Sequence, residues 1–233
     1  MSPKIVVLSG SGISRDSGLA TFRESGGLWE NHKIEDVASF DGWIANKEKV
    51  LKFYNERRKQ AALADPNLGH KALSELEALF DVTIITQNVD NLHERAGSQN
   101  VIHLHGLLSE AKSEKDDSII IDIGSKSIKM GDLASDGGQL RPNVVWFGEA
   151  VPVMQEVPDI VIQADIFIVT GTSLAVYPAA SLIHYVPDNA DKYLVDPADV
   201  DMNLPGDWKH IKEGASEGLP KLANQLKQIY QTE

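Results

Sequence analysis

Five short apolar runs constrain the fold of this chain more than any other feature: KIVVLS (4–9), DVTIITQ (81–87), NVIHLHG (100–106), ADIFIVTG (164–171) and DKYLVD (191–196). Each has strand length and is rich in Val and Ile. A strand with one face in water alternates apolar and polar residues. A near-continuous apolar run suits a strand buried on both faces, as in a parallel sheet covered by helices. Helical patterns lie between the runs. In 69–80, Leu73, Leu76, Leu79 and Phe80 recur at helical spacing. In 219–230, Leu219, Leu222, Leu226, Ile229 and Tyr230 do the same, with Pro220 near the start, where proline is tolerated. This alternation predicts an α/β fold, a doubly wound parallel sheet.

Two segments interrupt the alternation. Residues 109–138 are rich in Ser, Asp, Lys and Gly, with an apolar island at Ile119–Ile123 and a weaker one at Ile128 and Met130. Structureless loops of that length are uncommon in compact domains, so a hairpin is expected, Ile119–Ile123 pairing with a strand near Ser127–Met130. Residues 35–66 carry a helical pattern, EKVLKFYNERRKQAALA (48–64), that stops before Pro66. The division predicted is a main domain of 1–34, 67–108 and 139–233, with 35–66 and 109–138 as a small inserted lobe.

Composition excludes several function classes. The net charge of −12 argues against binding a phosphate backbone, so no nucleic-acid partner is expected. The absence of cysteine excludes disulfides, a thiolate nucleophile and Cys-ligated zinc or iron–sulfur sites. No apolar run approaches the ~20 residues of a membrane span, and MSPKIVVLSG has no cleavage site after its short apolar stretch. A cytoplasmic protein without a membrane partner is expected.

Five motifs carry possible chemistry. GSGISRDSG (10–18) follows the first run, where Gly10 and Gly12 allow a tight turn against a pyrophosphate; Arg15 stands where a dinucleotide fingerprint has its third glycine, and an ordinary turn is the alternative. Gln87, Asn88 and Asp90 in TQNVDNLHERAG (86–97) sit at a strand's carboxyl end, as ligand residues or as helix caps. In HLHG (103–106), His103 and His105 would share a face of a strand, suited to proton transfer or to core packing. GTSLAVYPAA (171–180) and VVWFGE (144–149) read equally as a capped turn and an edge strand.

Taken in order, with TFR (21–23) and GLW (27–29), these blocks resemble the sirtuins, NAD-dependent protein deacylases with a Rossmann-like fold, over nearly the whole chain. FYNERR (53–58) is similar to the acyl-pocket signature of the bacterial CobB-type branch. The sequence departs from the family at Ser11, where Ala is usual, at Asp196, where Asn is common, and in 109–138, where two zinc-binding cysteine pairs are normal and none occurs.

The resemblance implies NAD as a consumed co-substrate; the missing cysteines imply a small lobe without zinc. It implies that Gly10, Ser11, Gly12, Ile13, Phe22, Arg23, Trp29, Gln87, Asn88, Val89, Asp90, Gly171, Thr172, Ser173, Asp196 and Ala215 hold the cofactor. His105 would be the general base on a ribose hydroxyl, with Asn88 as the other catalytic residue and His103 structural. Tyr54, Arg57, Val145, Phe147, Gly148, Glu149 and Val176 would bind an acylated-lysine protein or peptide. Tyr54 and Arg57, three apart on one helix, would face acidic acyl groups, so removal of succinyl and malonyl as well as acetyl is implied, with O-acyl-ADP-ribose as product. A monomer is expected. ADP-ribosyl transfer to protein and a non-catalytic NAD-sensing role are the alternatives.

Overall fold

The computed structural model describes residues 2–21, 32–198, 204 and 207–231. Six strands form one parallel sheet: β1 (Lys4–Ser9), β2 (Asp81–Thr86), β3 (Val101–His103), β7 (Ile166–Thr170), β8 (Asp191–Val195) and β9 (Trp208–Ile211), in the order β3-β2-β1-β7-β8-β9. Numbered within the sheet alone, this is the 3-2-1-4-5-6 order of a dinucleotide fold, which reverses between β1 and β7. The register runs Ile5 to Val82 on one side of β1 and Ile5 to Ile166 on the other.

The near-continuous apolar runs have a direct explanation. Ile5, Val7, Ile84, Ile166 and Ile168 face one layer, against Leu73 and Leu76 of helix Leu68–Leu76 and Leu219, Leu222 and Leu226 of helix Ala215–Gln231. Val6, Leu8, Ile85, Phe167 and Val169 face the other, against Val157, Val161, Leu182 and Ile183. Both faces of each central strand are therefore buried, and burial of each aliphatic side chain contributes roughly 1.5–3 kcal/mol.

The smaller unit contains three helices, α1 (Ile34–Val37), α2 (Phe40–Ala45) and α3 (Lys47–Leu63), and an antiparallel sheet of β4 (Gly106–Ser113), β5 (Ile120–Asp122) and β6 (Leu140–Val144), ordered β5-β4-β6. Trp43, Val50, Tyr54, Leu108, Ala111, Ile128 and Trp146 share its core. The apolar island does not pair with 127–130 as expected. Ile120 and Ile121 pair with Lys112 and Ala111 of β4, and both remain exposed. Ile128 instead docks on α3: Asn55 Nδ2 donates to its carbonyl at 2.8 Å and its N–H donates to Asn55 Oδ1 at 2.9 Å. Strand β4 had two open edges, and β5 and β6 take one each.

Polar side chains tie the turns of this unit. Gln139 Nε2 lies within 2.9, 3.1 and 3.0 Å of the carbonyls of Lys129, Asp132 and Leu140, while its Oε1 accepts from Gly131 N at 2.8 Å. Asp136 accepts from Ser113 Oγ at 2.7 Å and from Gly138 N at 2.8 Å. Among the described residues no group of three or more His, Asp or Glu is placed to hold a metal, and no helix is long and apolar enough to cross a membrane.

Candidate functional site

Open parallel sheets bind ligands beyond the carboxyl ends of the strands, where the strand order reverses. Here that point lies between β1 and β7, and the GSG and GTS turns leave from it side by side. Their backbones interlock: Gly10 N donates to Thr170 O at 3.1 Å and Gly12 N to Gly171 O at 2.8 Å. A Cβ on Gly10 or Gly12 would come within 2.7 Å of the second turn, and Gly171 has φ +61°, which favours glycine. The amides of Ser11 and Thr172 have no protein acceptor among the described residues. Leu174, buried at 2% exposure, also holds a left-handed φ of 53°, a conformation maintained only where surrounding packing over-determines it.

The turn after β2 completes the arrangement. Gln87 Nε2 donates to Thr172 Oγ1 at 3.0 Å, which fixes the third turn to the second. Asn88 Nδ2 donates to Ser14 Oγ at 3.1 Å, and Ser14 donates to Asp90 Oδ2 at 3.1 Å. Burial raises the Asp90 carboxyl above the ordinary range, opposed by its hydrogen bonds from Leu92 N and Ser14 and by the charges of His103 and Arg57. Asp90 thus stands behind Asn88 and holds it through Ser14.

The two histidines diverge. Strand β3 ends at His103, so the predicted shared strand does not extend to His105; Gly106, at φ +78°, turns the chain between β3 and β4. His103 Nδ1 meets the Asn88 carbonyl at 2.9 Å and its Nε2 meets Glu94 at 2.7 Å. Burial alone would lower its pKa, but Glu94 and the Asn88 carbonyl raise it. His105 Nδ1 lies 3.0 Å from the Gln87 carbonyl, an arrangement that requires Nδ1 to carry the proton and leaves Nε2 with its lone pair. Burial lowers the His105 pKa, partly offset by that hydrogen bond, so the ring is neutral at pH 7.

One cleft of about 750 Å³ reaches from the glycine turns to Phe53, Tyr54 and Arg57 of α3. Of the residues singled out from sequence, Gly10, Ser11, Gly12, Gln87, Asn88, Val89, His105, Gly171, Thr172, Ser173 and Asp196 line it, as do Tyr54, Arg57, Val145, Phe147, Gly148, Glu149 and Val176. Three do not. Ile13 is fully buried in the core beneath the first turn. Asp90 sits behind Asn88. Ala215, at 5% exposure, begins helix Ala215–Gln231 and packs beneath Gly69. Phe22, Arg23 and Trp29 lie outside the described residues.

The adjacent arginines of α3 have separate tasks. Arg57 borders the cleft; burial lowers its pKa, opposed by Tyr54 and Asp90. Arg58 turns the other way, its Nε donating to the Leu108 carbonyl and its Nη1 to Asn55 Oδ1 at 2.7 Å, and burial pushes it down to about 10. Glu149 spends its carboxylate on a bidentate pair with Arg141 at 2.8 and 2.9 Å and on the Trp146 amide at 2.8 Å. Sequence reasoning missed Ser14 and Trp146. Ser14 lies in the GSGIS block, whereas Trp146 gains its meaning only from Tyr54, 92 residues away.

Comparison with known proteins agrees with this geometry. Residues 10–178 match the profile of the Sir2 family. The chain is 49% identical over 227 residues to an NAD-dependent protein deacylase of Bacteroides thetaiotaomicron, covering 95% of this chain and 97% of that one. A Sir2 homologue mutant in complex with ADP-ribose superposes with a TM-score of 0.91 at 36% identity, covering 100% of this chain and 95% of the other. A Sir2 complex with a p53 peptide and NAD+ has a TM-score of 0.74 at 26% identity, covering 100% and 95%.

Proposed function

Because this chain belongs to the Sir2 family, we propose that it is an NAD-dependent protein-lysine deacylase that removes succinyl and malonyl as well as acetyl groups. It acts as a monomer in the cytoplasm, releasing nicotinamide and O-acyl-ADP-ribose. One observation carries this reading: a single cleft contains both His105, whose Nε2 is left as the basic nitrogen, and the Tyr54–Arg57 pair.

The residues present fit NAD. Interlocked glycine turns with the open amides of Ser11 and Thr172 suit a diphosphate, and the Asn88 amide, held through Ser14, suits the nicotinamide side. Asp196 can accept from ribose hydroxyls. NAD supplies the ADP-ribosyl group that accepts the acyl group. His105 Nε2 takes a proton from a sugar hydroxyl, and the Gln87 carbonyl stabilises the imidazolium formed, help worth roughly 10²–10⁴ in rate. The peptide adds as a strand between Gly148–Glu149 and the loop before Val176, so main-chain pairing gives affinity with weak sequence selectivity. Val145 and Phe147 flank the lysine stem.

Arg57 supports the acidic-acyl preference. Its planar fork can bind a carboxylate through two charge-assisted hydrogen bonds, each worth roughly 1.5–3 kcal/mol. The test is mass spectrometry of acetyl-, succinyl- and malonyl-lysine peptides with and without NAD, repeated with Arg57→Met. Desuccinylation should fall by at least the value of one such bond, about 10- to 100-fold, in the variant while deacetylation persists. If both fall together, Arg57 serves the fold and the acyl reading is lost.

A further inference from the structure

Tyr54 has a partner that the catalytic scheme does not use. Trp146 Nε1 donates to Tyr54 Oη at 3.0 Å, with both side chains buried. The indole is fixed on several sides. The Arg141 guanidinium lies 3.6 Å over its ring, the Trp43 ring is 5.7 Å away, and the Trp146 backbone N–H donates to Glu149. Arg141 is fixed in turn by its two hydrogen bonds to Glu149.

That donor decides what the Tyr54 hydroxyl can do. A phenol has one proton and accepts at its oxygen lone pairs. With Trp146 N–H directed at the oxygen, the hydroxyl proton must turn away from the indole. No protein acceptor takes it among the described residues, and Tyr54 borders the cleft beside Arg57. Burial raises the Tyr54 pKa far above its usual value, so the proton stays on throughout the working range.

We infer that Trp146 is a positioning residue that turns Tyr54 into a hydrogen-bond donor aimed into the cleft, and thereby sets the preference for an acyl group bearing a carboxylate. The inference rests on the acyl-pocket reading above and deepens it. Arg57 supplies charge and a two-pronged donor on a long side chain. A donor of fixed direction adds a geometric requirement, met by a carboxylate at one distance from the lysine and not at another.

The experiment compares kcat/KM for succinyl-lysine and acetyl-lysine peptides in the wild type, Trp146→Phe, Tyr54→Phe and the double variant. Misdirecting one hydrogen bond to a carboxylate, without removing the donor, forfeits part of its value, about 2- to 10-fold. The succinyl-to-acetyl ratio should fall by that factor in Trp146→Phe, through KM rather than kcat. It should fall at least as far in Tyr54→Phe, which loses the donor itself, and no further than that in the double variant. Replacing Trp146 by its isostere β-(3-benzothienyl)alanine, in which sulfur takes the place of the N–H, should give the same fall at full packing, and it serves if Trp146→Phe does not fold. An unchanged ratio with the isostere, or independent effects of Trp146 and Tyr54, would overturn the inference. If Arg57→Met also leaves the ratio unchanged, the acyl-pocket reading itself fails; if Arg57→Met lowers it and the isostere does not, only the role of Trp146 fails.

Discussion

Acidification from pH 7 to pH 5 should cost the protein about 2 kcal/mol of stability through His70 alone. His70 lies on helix Leu68–Leu76, is fully buried, and neither of its ring nitrogens has a hydrogen-bond partner among the described residues. Burial pushes its pKa down to about 4. In the unfolded chain it returns to about 6.5. Between these values the unfolded state binds more protons than the folded state, so stability is fully present above about 6.5, is lost as the pH falls, and levels off near the folded value. At pH 5 the unfolded imidazole is about 97% protonated and the folded one about 10%, which gives the figure above. His93, with its ring centre 5.0 Å away, is lowered by burial and then by the charges of His70 and His103, and it steepens the same slope. The assay is urea denaturation across this range for the wild type and His70→Gln. The variant should lose about 2 kcal/mol less over the interval. Parallel curves would show that His70 titrates alike in both states and would refute the reasoning.

Further outcomes concern His105, Gly171 and Gln139. His105→Ala should lower deacylation about 10²- to 10⁴-fold while NAD still binds by calorimetry. Because burial lowers the His105 pKa and only the neutral ring can take a proton, kcat/KM should rise with pH through a midpoint below the ordinary histidine value of about 6.5; a midpoint above that value would contradict the assignment. Gly171→Ala should cost about 1–3 kcal/mol in thermal denaturation and weaken NAD binding, because φ is +61° and the new Cβ meets the backbone of Gly12 and Ile13. Gln139→Ala should destabilise by about 0.5–1.5 kcal/mol by removing the side-chain bonds that tie Lys129, Gly131, Asp132 and Leu140 together, whereas chelator should leave the melting temperature unchanged; stoichiometric zinc in the purified protein would sink this account of the small unit.

The central sheet was legible because its cause is local. A strand covered on both faces is apolar at nearly every position, and 4–9 and 164–171 carry that signature unaided. Strand β9 was not, since Trp208–Ile211 reads WKHI and lies at the sheet's edge, where no run of apolar residues is needed. The glycine turns were legible as turns, but not why glycine is required: the steric demand comes from a second turn some 160 residues away in sequence. The pairing of Ile119–Ile123 was misread for a related reason. Short strands choose partners by which edges are open, and that depends on the path of β4. Tyr54 and Arg57 could be placed on one helix face from spacing, but Trp146 joins them only through the fold.

The hydrogen-bonded turns of the small unit have a consequence for oxidative conditions. Thiolates are the side chains that peroxide attacks first, and a thiolate-bound metal is released when they oxidise. This chain has no cysteine, and the turns around Gln139 and Asp136 are joined by amide, carbonyl, hydroxyl and carboxylate groups, which such oxidants leave untouched. Its architecture should therefore withstand thiol oxidation, with only its four methionines open to sulfoxide formation. Deacylation by this protein would then follow the supply of NAD, independent of the thiol redox state around it.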